Sequence, residues 1–436
     1  MRLDISTHTL ENGLDVIVHE DHHAPLVAVN VWYHVGSKNE RPGRTGFAHL
    51  FEHLMFEGSA HQPRGYFEPL QEVGASLNGS TSSDRTNYWE VVPAGARSLA
   101  LWMESDRMGW LLPAVTEARL DVQRDVVLNE RRQSYENRPY GLAQFIMAAA
   151  LYPPDHPYHW PTIGDPDDVR AATLDDVHAF FRHYYHPANA SLTVAGDVDT
   201  SALLDEVRAL FGGIPAGPAI ARVEAPEPNG APVRLVHEDQ VELARIYLAW
   251  PSPALFAPGD AELDLVADIL ANGRSSRLYR RLIHDRRVAA ELAAHQASRE
   301  LTGMFQIVAT AAPGHTLADI ADAIDDEVRR FAGEGPTAEE LNRGRVRAEA
   351  AFVHRLETLG GFGGRADQLN AYNTYLGRPD GFEQDLRRYL DAGNDDLAGA
   401  CRRFLAMPPR VALSVVPAGR VDLALPDSAP AAGGAR

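Results

Sequence analysis

The feature of this sequence that most constrains its fold is an internal repeat. Residues 175–199 carry an Asp-Asp-Val segment, an aromatic pair and an apolar stretch that ends in Ala-Gly-Asp-Val-Asp. Residues 395–422 carry a similar series about 220 positions later, half of the 436-residue chain, which is typical of duplication. Because each copy mixes helical and strand-like patterns, we predict an α+β protein. It should have two homologous α/β-sandwich-like domains, each a mostly antiparallel sheet flanked by helices.

A proline- and glycine-rich stretch divides the chain near its middle. Residues 216–232 show little periodicity, which predicts a linker. We therefore assign an N-terminal domain to residues 1–215 and a C-terminal domain to residues 233–425. The final residues, 426–436, are rich in proline, alanine and glycine, and we expect a disordered tail there.

Charge and apolar pattern argue against several classes of function. A net charge of -19 disfavours binding to nucleic acid or to anionic lipid. No apolar run is long enough to predict a membrane span. The N-terminus lacks the apolar core of a signal peptide, so we expect a cytoplasmic protein, or a periplasmic one if a leader was removed. The single cysteine, Cys401, excludes an intrachain disulfide and a thiolate zinc site.

The strongest chemical signal is the run His49-Leu50-Phe51-Glu52-His53. It lies in residues 47–56, which we predict to be a helix with Thr45 as N-cap. On a helix His49 and His53 are one turn apart on one face, so both rings can reach the same ion. Glu52 lies on the same side. The order His-x-x-Glu-His is the inverzincin signature, which indicates a zinc peptidase.

A catalytic zinc ion needs a third protein ligand and an open position. Glu130 fits this requirement because it lies in residues 117–135, which contain no glycine or proline and are predicted to form one helix. We therefore predict one Zn²⁺ per chain, bound by His49, His53 and Glu130. Glu52 would act as the general base that takes a proton from the zinc-activated water.

These motifs resemble those of the pitrilysin/insulinase family of zinc peptidases. In that family a glutamate ligand follows the paired histidines by about 76 residues in a Val-Val-x-x-Glu context, and here 130 − 53 − 1 = 76 residues intervene. The resemblance extends to residues 74–81, 84–88 and 273–279. The length is similar to that of the short subfamily, which includes mitochondrial processing peptidase and its bacterial relatives. The resemblance implies that two separate chains form the peptidase.

The resemblance also implies roles for residues near the ligands. Many members have a second glutamate where this chain has Gln123, which implies either a hydrogen bond to a ligating side chain or a plain solvated position. The family's substrate-binding edge strand matches residues 76–81, which implies peptide contacts by Asn78, Gly79 and Ser80. Alternatively, Asn78-Gly79 is an ordinary turn.

The second half matches only part of the family pattern. In active single-chain relatives an arginine and a tyrosine, seven residues apart, bind substrate. Arg287 matches the arginine, but Ala294 stands where the tyrosine belongs. The positions that correspond to the zinc triad hold Asp264, Ala267 and Asp268, so no second metal site is expected. Because this chain carries the arginine but not the tyrosine, the resemblance implies a peptidase heterodimer, in which a homologous subunit supplies the Arg/Tyr pair. A homodimer would lack the tyrosine in both copies.

Two other readings are compatible with the sequence. The chain could be a structural or assembly subunit that keeps the fold without turnover, although a scaffold has no need of all four site residues. The metal could also be purely structural, although three protein ligands beside a free carboxylate favour a reactive site. The glycine-dense residues 360–365 predict a loop, which either connects two elements or touches substrate.

Overall fold

The computed structural model describes residues 3–406 and 410–431. The chain forms two compact units, and each is built from three separate segments. Unit 1 contains Met1–Glu130, Trp160–Val223 and Ala351–Glu383. Unit 2 contains Arg131–His159, Glu224–Ala350 and Gln384–Arg436.

Each unit holds one six-stranded sheet. The strands of the first sheet are β1 (Ser6–Thr9), β2 (Asp15–Glu20), β3 (Leu26–Tyr33), β4 (Ser76–Thr81), β5 (Thr86–Pro93) and β6 (Ala190–Gly196). The strands of the second sheet are β7 (Val233–Asp239), β8 (Arg245–Ser252), β9 (Ala289–Ala297), β10 (Gly303–Ala311), β11 (Val411–Pro417) and β12 (Ala429–Pro430).

The α-helices lie between these strands in the sequence. They are α1 (Phe47–Leu54), α2 (Phe67–Glu72), α3 (Arg97–Trp110), α4 (Glu117–Arg131), α5 (Ala143–Leu151), α6 (Pro166–Ala171), α7 (Leu174–Tyr184), α8 (Thr200–Phe211), α9 (Asp260–Ala271), α10 (Leu317–Glu334), α11 (Ala338–Glu357), α12 (Arg365–Leu376), α13 (Phe382–Asp391) and α14 (Asn394–Cys401). A π-helical segment, Arg132–Glu136, follows α4. None of the described helices is long and apolar enough to cross a membrane.

The two sheets have matching topologies. The strand order is β1-β2-β6-β3-β5-β4 in the first sheet and β12-β7-β11-β8-β10-β9 in the second. In each sheet the second pair of this order is parallel, β2 with β6 and β7 with β11, and the next three pairings are antiparallel. The first pair differs, because β1 is antiparallel to β2 whereas β12 is parallel to β7. The predicted α+β fold with two duplicated domains is therefore confirmed.

The units do not follow the predicted boundaries at residues 215 and 233. The segment that contains α12 comes from the second half of the sequence but belongs to unit 1, where it packs on β3 and β6. The segment that contains α5 comes from the first half but packs on β8 and β11 in unit 2. Helical periodicity predicts that a helix forms but not which sheet it covers, so the sequence could not reveal this exchange.

Residues 216–232 and the described part of the tail differ in structure. No helix or strand forms between α8 and β7, where the predicted linker lies. The expected disorder of the tail is wrong for its described part, because Ala429 and Pro430 form β12, which pairs in parallel with β7. The Ala431 N–H donates to the Val236 carbonyl at 2.9 Å, so the tail satisfies main-chain groups on the outer edge of β7. Residues 432–436 lie outside the described residues.

A buried ion cluster supports the segment just after α1. Arg107 of α3 and Glu104 are 1% and 0% exposed and form an ion pair. The guanidinium of Arg107 lies 3.8 Å from the ring centroid of Tyr66 and 4.1 Å from that of Tyr88. The ring of Phe56 packs edge-on against both tyrosines. The cluster therefore fixes the chain where it leaves α1.

Replacing Arg107 tests this support. Arg107→Gln should lower the free energy of unfolding by about 3–5 kcal/mol, because it leaves the buried Glu104 without its charge partner. Urea denaturation followed by tryptophan fluorescence measures the loss. The control Arg170→Gln removes one partner of the exposed Arg170–Asp167 pair and should cost less than about 1 kcal/mol. Equal losses for the two variants would contradict this account.

Candidate metal centre

Helix α1 is anchored by its apolar face. Leu50, Phe51 and Leu54 are fully buried. The ring of Phe51 stacks on Phe180 of α7, with centroids 5.5 Å apart, and on Tyr185 at 5.0 Å. Aromatic stacking of this kind adds to the free energy of burial. The polar residues of the motif are left on the remaining face of the helix.

The N-terminus of α1 is capped from outside the motif. The carboxylate of Glu40 accepts the N–H groups of Gly46 at 2.9 Å and Ala48 at 2.8 Å. Gly46 is the N-cap and has a left-handed φ of 85°. The expectation that Thr45 caps the helix is therefore wrong. The helix begins one residue too late for that role, and the Thr45 hydroxyl instead donates to Asp168 at 2.7 Å.

Glu130, near the end of α4, approaches both imidazole rings. Its Oε2 lies 3.3 Å from Nε2 of His53 and 3.7 Å from Nε2 of His49. The two ring centroids are 4.8 Å apart and the ring planes are inclined at 79°. One donor atom from each of the three residues lies within 4.8 Å of the others. The structure thus brings the three predicted ligands together.

The spacing of these atoms fits a zinc ion. Two donors bound to one tetrahedral zinc at 2.0–2.1 Å are about 3.3–3.4 Å apart. The His53–Glu130 distance matches this value, and the His49–Glu130 distance is longer than a hydrogen bond. Two imidazoles and one carboxylate form a recurrent ligand set of catalytic zinc. Within the described residues this is the only compact group of potential metal ligands.

The protonation states of two ligands also suit a metal. Burial, reinforced by the neighbouring His53, lowers the pKa of His49 to about 4, so the ring is neutral at pH 7. Contact with His53 lowers the pKa of Glu130 and keeps this carboxylate ionised. Metal binding requires a neutral imidazole and an ionised carboxylate.

Glu52 is oriented by the end of β4. The hydroxyl of Thr81 donates to Oε2 of Glu52 at 2.7 Å. Burial raises the pKa of Glu52, and the bond from Thr81 opposes this rise. A carboxylate with a raised pKa accepts a proton more readily near neutral pH. The raised pKa of Glu52 is thus a shift in the direction that favours a general base.

The predicted substrate strand is an edge strand. Among the described residues, β4 pairs only with β5. Asn78 and Gly79 lie inside β4, so the alternative reading of a turn is wrong. A Cβ atom at Gly79 would lie 3.0 Å from the rings of Phe56 and Tyr88, so a larger residue there would require these rings to shift. The hydroxyl of Ser80 donates to Oδ1 of Asn87 at 2.7 Å.

Gln123 does not hydrogen-bond to the ligands. Its side chain is buried, at 5% exposure, and its amide donates to Oε1 of Glu57 at 2.8 Å. This placement differs from both interpretations of the sequence, a bond to a ligand and a solvated position.

Nδ1 of His49 is buried and makes no hydrogen bond to any described residue. The ring of this ligand therefore lacks the acceptor that often fixes a metal-bound histidine.

Unit 2 uses the corresponding positions for structural contacts. Asp264 of α9 accepts a hydrogen bond from the hydroxyl of Tyr389 at 2.7 Å. Asp268 forms an ion pair with Arg347 of α11 at 2.9 Å. Ala267 is buried in the core. Among the described residues of unit 2, no group of three potential metal ligands occurs.

The two positions that correspond to the Arg/Tyr pair, Arg287 and Ala294, also lie in unit 2. Arg287 is exposed, has a left-handed φ of 54° and is separated from β9 by one residue, Val288. Ala294 is 3% exposed and packs in the core of the unit. The side chain at position 294 is therefore not available to a substrate.

Two contributors to the site escaped the sequence reasoning. Glu40 lies seven residues before α1 and carries no capping signature, so only the fold reveals its role. The sequence gives only a weak signal for the role of Thr81: alternation along β4 places its side chain on the same sheet face as Gly79 and on the opposite face from Ser80. Neither contact follows from spacing within the His-x-x-Glu-His motif.

Two family models match this chain. The model described as "Insulinase (Peptidase family M16)" matches residues 15–153, and the model described as "Peptidase M16 inactive domain" matches residues 171–346. The chain therefore belongs to the insulinase family of peptidases, M16, as the motifs predicted.

Similar proteins span most of the chain. The zinc protease PqqE of Helicobacter pylori is 29% identical over 406 residues, which cover 91% of this chain and 89% of that protein. The crystal structure of a protease from Helicobacter pylori superposes with a TM-score of 0.88 at 27% identity, covering 96% of this chain and all of that one. A probable mitochondrial-processing peptidase subunit beta of Arabidopsis thaliana is 25% identical over 338 residues, which cover 74% of this chain and 62% of that protein.

Removing one ligand tests the metal centre. Glu130→Gln should weaken zinc binding by at least about 10-fold, because the amide is a poorer and uncharged ligand. Titration of the metal-free protein against a zinc chelator measures the affinity. Asp125→Asn is the control, since it removes the same charge from an exposed position of α4 and should leave zinc affinity unchanged. Equal affinity in wild type and Glu130→Gln would remove residue 130 from the ligand set.

Proposed function

We propose that this chain is the metal-bearing subunit of a zinc metalloendopeptidase. The observation that carries the proposal is the convergence of His49, His53 and Glu130 within 4.8 Å, with Glu52 on the same helix as the histidines. The family membership supports the same conclusion, as does the printed name "zinc protease" of the Helicobacter pylori relative. One zinc ion per chain is expected.

The residues of the site divide the chemistry among them. His49, His53 and Glu130 would hold the ion, which when bound supplies the Lewis acidity that activates water and polarises the scissile carbonyl. Glu52 takes the proton from the attacking water and then transfers it to the leaving amine. The hydroxyl of Thr81 holds the Glu52 carboxylate in place between the two steps.

The free edge of β4 suits an extended peptide substrate. A peptide that adds to this edge as a further strand gains main-chain hydrogen bonds without any requirement on its sequence. Asn78, Gly79 and Ser80 would contact it, and the next residue, Thr81, contacts the general base. The scissile bond would thus be held beside Glu52.

A homologous partner subunit would complete the active enzyme. This chain offers Arg287 but has Ala294 in place of the tyrosine. The methyl side chain of Ala294 carries no hydrogen-bond donor and is buried, so this position cannot replace the tyrosine. A heterodimer whose second subunit carries the Arg/Tyr pair would remedy this, and the Arabidopsis relative is itself named as one subunit of a peptidase.

Replacing the general base tests the mechanism. Glu52→Gln should retain zinc but lower kcat by about 10²–10⁴-fold, because the amide cannot accept the proton. An internally quenched peptide library, with zinc measured by atomic absorption, reports both properties. Thr81→Ser is the control, since it keeps the hydroxyl that holds residue 52 and should keep most of the activity. A Glu52→Gln variant that cleaves peptides as fast as wild type would refute the assignment.

The need for a partner gives a separate prediction. The purified chain should cleave the library slowly, and addition of the homologous Arg/Tyr subunit should raise kcat by at least about 10-fold, because it supplies a transition-state donor. Mixing with that subunit after replacement of its tyrosine by phenylalanine is the control and should restore little activity. Full activity of the isolated chain would refute the heterodimer.

The alternative is a non-catalytic structural subunit of the same fold. The observation that favours it is that the family model for residues 171–346 is described as an inactive domain. A protein of this kind would assemble with its partner but would show no loss of function on Glu52→Gln. Zinc-dependent cleavage that disappears in this variant decides between the two functions.

A further inference from the structure

A chain of hydrogen bonds links α12 to the substrate edge. The carboxylate of Asp367 accepts the Nδ2–H of Asn87 at 2.9 Å, and Oδ1 of Asn87 accepts the hydroxyl of Ser80 at 2.7 Å. The guanidinium of Arg85 donates to the same hydroxyl at 2.6 Å and to the Ser80 carbonyl at 2.9 Å. Asp367 and Asn87 are buried, at 7% and 0% exposure. These hydrogen bonds thus connect the guanidinium of Arg85, beside β4, with the buried carboxylate of Asp367 on α12.

The direction of each bond in this chain depends on the anion. A carboxylate only accepts, so it fixes the amide of Asn87 with its N–H₂ towards α12 and its oxygen towards Ser80. The Ser80 hydroxyl must then donate to Asn87 and accept from Arg85. Asp367 also accepts the indole N–H of Trp32 and the main-chain N–H of Gly363, both at 2.7 Å. Bonds arranged head to tail between two opposite charges reinforce each other.

Ser80, a member of this series of hydrogen bonds, is the neighbour in β4 of the residue that contacts the proposed general base. Ser80 faces α12, and the following residue, Thr81, faces α1 because successive side chains of a strand point to opposite faces. Thr81 is the residue that holds Glu52. A shift of β4 that releases Ser80 therefore also shifts the donor to the general base.

We propose that Asp367 is a positioning residue that fixes β4, the edge that receives the peptide, through Asn87 and Ser80. The proposal deepens the proposed function and rests on it for its effect on catalysis. Asp367 lies 280 positions after Asn87 and in the other half of the sequence from the metal ligands. The second half would thus contribute to the geometry of the site without touching the substrate or the ion.

The helix itself offers a matched control. Asn370 lies one turn after Asp367, is 0% exposed and makes four buried hydrogen bonds with the same sheet, against two for Asp367. Its partners are Ser191 and Thr193 of β6 and Asn30 of β3, none of which belongs to the chain that reaches β4. Asn370→Ala therefore weakens the attachment of α12 without cutting the link to the edge strand.

Hydrogen–deuterium exchange of the full-length chain tests the positioning directly. In Asp367→Asn the negative charge is lost, and one acceptor oxygen becomes an N–H₂ donor that must face either the N–H of Gly363 or the N–H groups of Trp32 and Asn87. Amide exchange in residues 76–81 should therefore rise at least about 10-fold while β6 stays protected. In Asn370→Ala β6 should exchange faster and β4 should not. Ser80→Ala removes one hydroxyl from a partly buried position of an edge strand and should fold normally; it cuts the same link and should reproduce the Asp367→Asn effect on β4. Unchanged β4 exchange in both Asp367→Asn and Ser80→Ala, or equal β4 exchange in Asp367→Asn and Asn370→Ala, would overturn the proposal.

Kinetics separate this inference from the proposed function. With the library peptide that wild type cleaves fastest, Asp367→Asn should raise KM and lower kcat, for a loss of about 10-fold or more in kcat/KM, with zinc content unchanged. Asn370→Ala should change neither constant by more than about twofold. If wild type cleaves no peptide in the presence of zinc and its partner, the proposed function has failed, and the exchange data alone decide the role of Asp367. Normal kcat/KM in Asp367→Asn would overturn its effect on catalysis.

Discussion

The approach of α4 to α1 is the contact on which the site depends. Helix α1 has only eight residues, which is too few for a helix to be stable without tertiary packing. Its position is therefore set from outside, by the stacking of Phe51 on α7 and by the Glu40 carboxylate at its N-terminus. These contacts turn the rings of His49 and His53 towards the carboxylate of Glu130. The group of potential metal ligands is a consequence of this placement, because only the paired histidines are close in sequence and Glu130 comes from another helix.

The duplicated fold shows what the same helix contact does without a metal. In unit 2, α9 and α11 meet through the ion pair between Asp268 and Arg347, and Arg347 also donates to the carbonyl of Asn272. Here the opposite charges satisfy one another. In unit 1 the facing groups are two imidazoles and a carboxylate, and Nδ1 of His49 has no hydrogen-bond partner among the described residues. The two units therefore share their architecture but differ in the side chains at this helix contact. Unit 2 has an ion pair whose charges neutralise each other, and unit 1 has two imidazoles and a carboxylate, which could bind a cation.

The sequence predicted those parts of the structure that depend on local patterns. The strands Asp15–Glu20 and Leu26–Tyr33 follow from β-branched runs, and α1 follows from the spacing of its apolar residues. The ligand set followed from one motif and a family-specific distance. Long-range polar contacts were not predictable: neither Glu40 at the N-terminus of α1 nor Asp367 against Asn87 has a signature in its own neighbourhood. The cap was placed on Thr45 because sequence rules assume that the nearest hydroxyl serves the helix.

The exchange of α12 makes the first sheet dependent on the second half of the chain. Asn30 and Thr193 lie on the sheet face that α12 covers, and both are 0% exposed with hydrogen bonds to Asn370. Without α12 these polar groups would need water, and the apolar residues beside them, Ala28 and Ala195, would lose the helix that buries them. A fragment that ends at the linker would thus retain every predicted metal ligand but lack one layer of the unit that holds them. The candidate metal centre therefore takes its ligands from the first half of the sequence, while its stability depends on both halves.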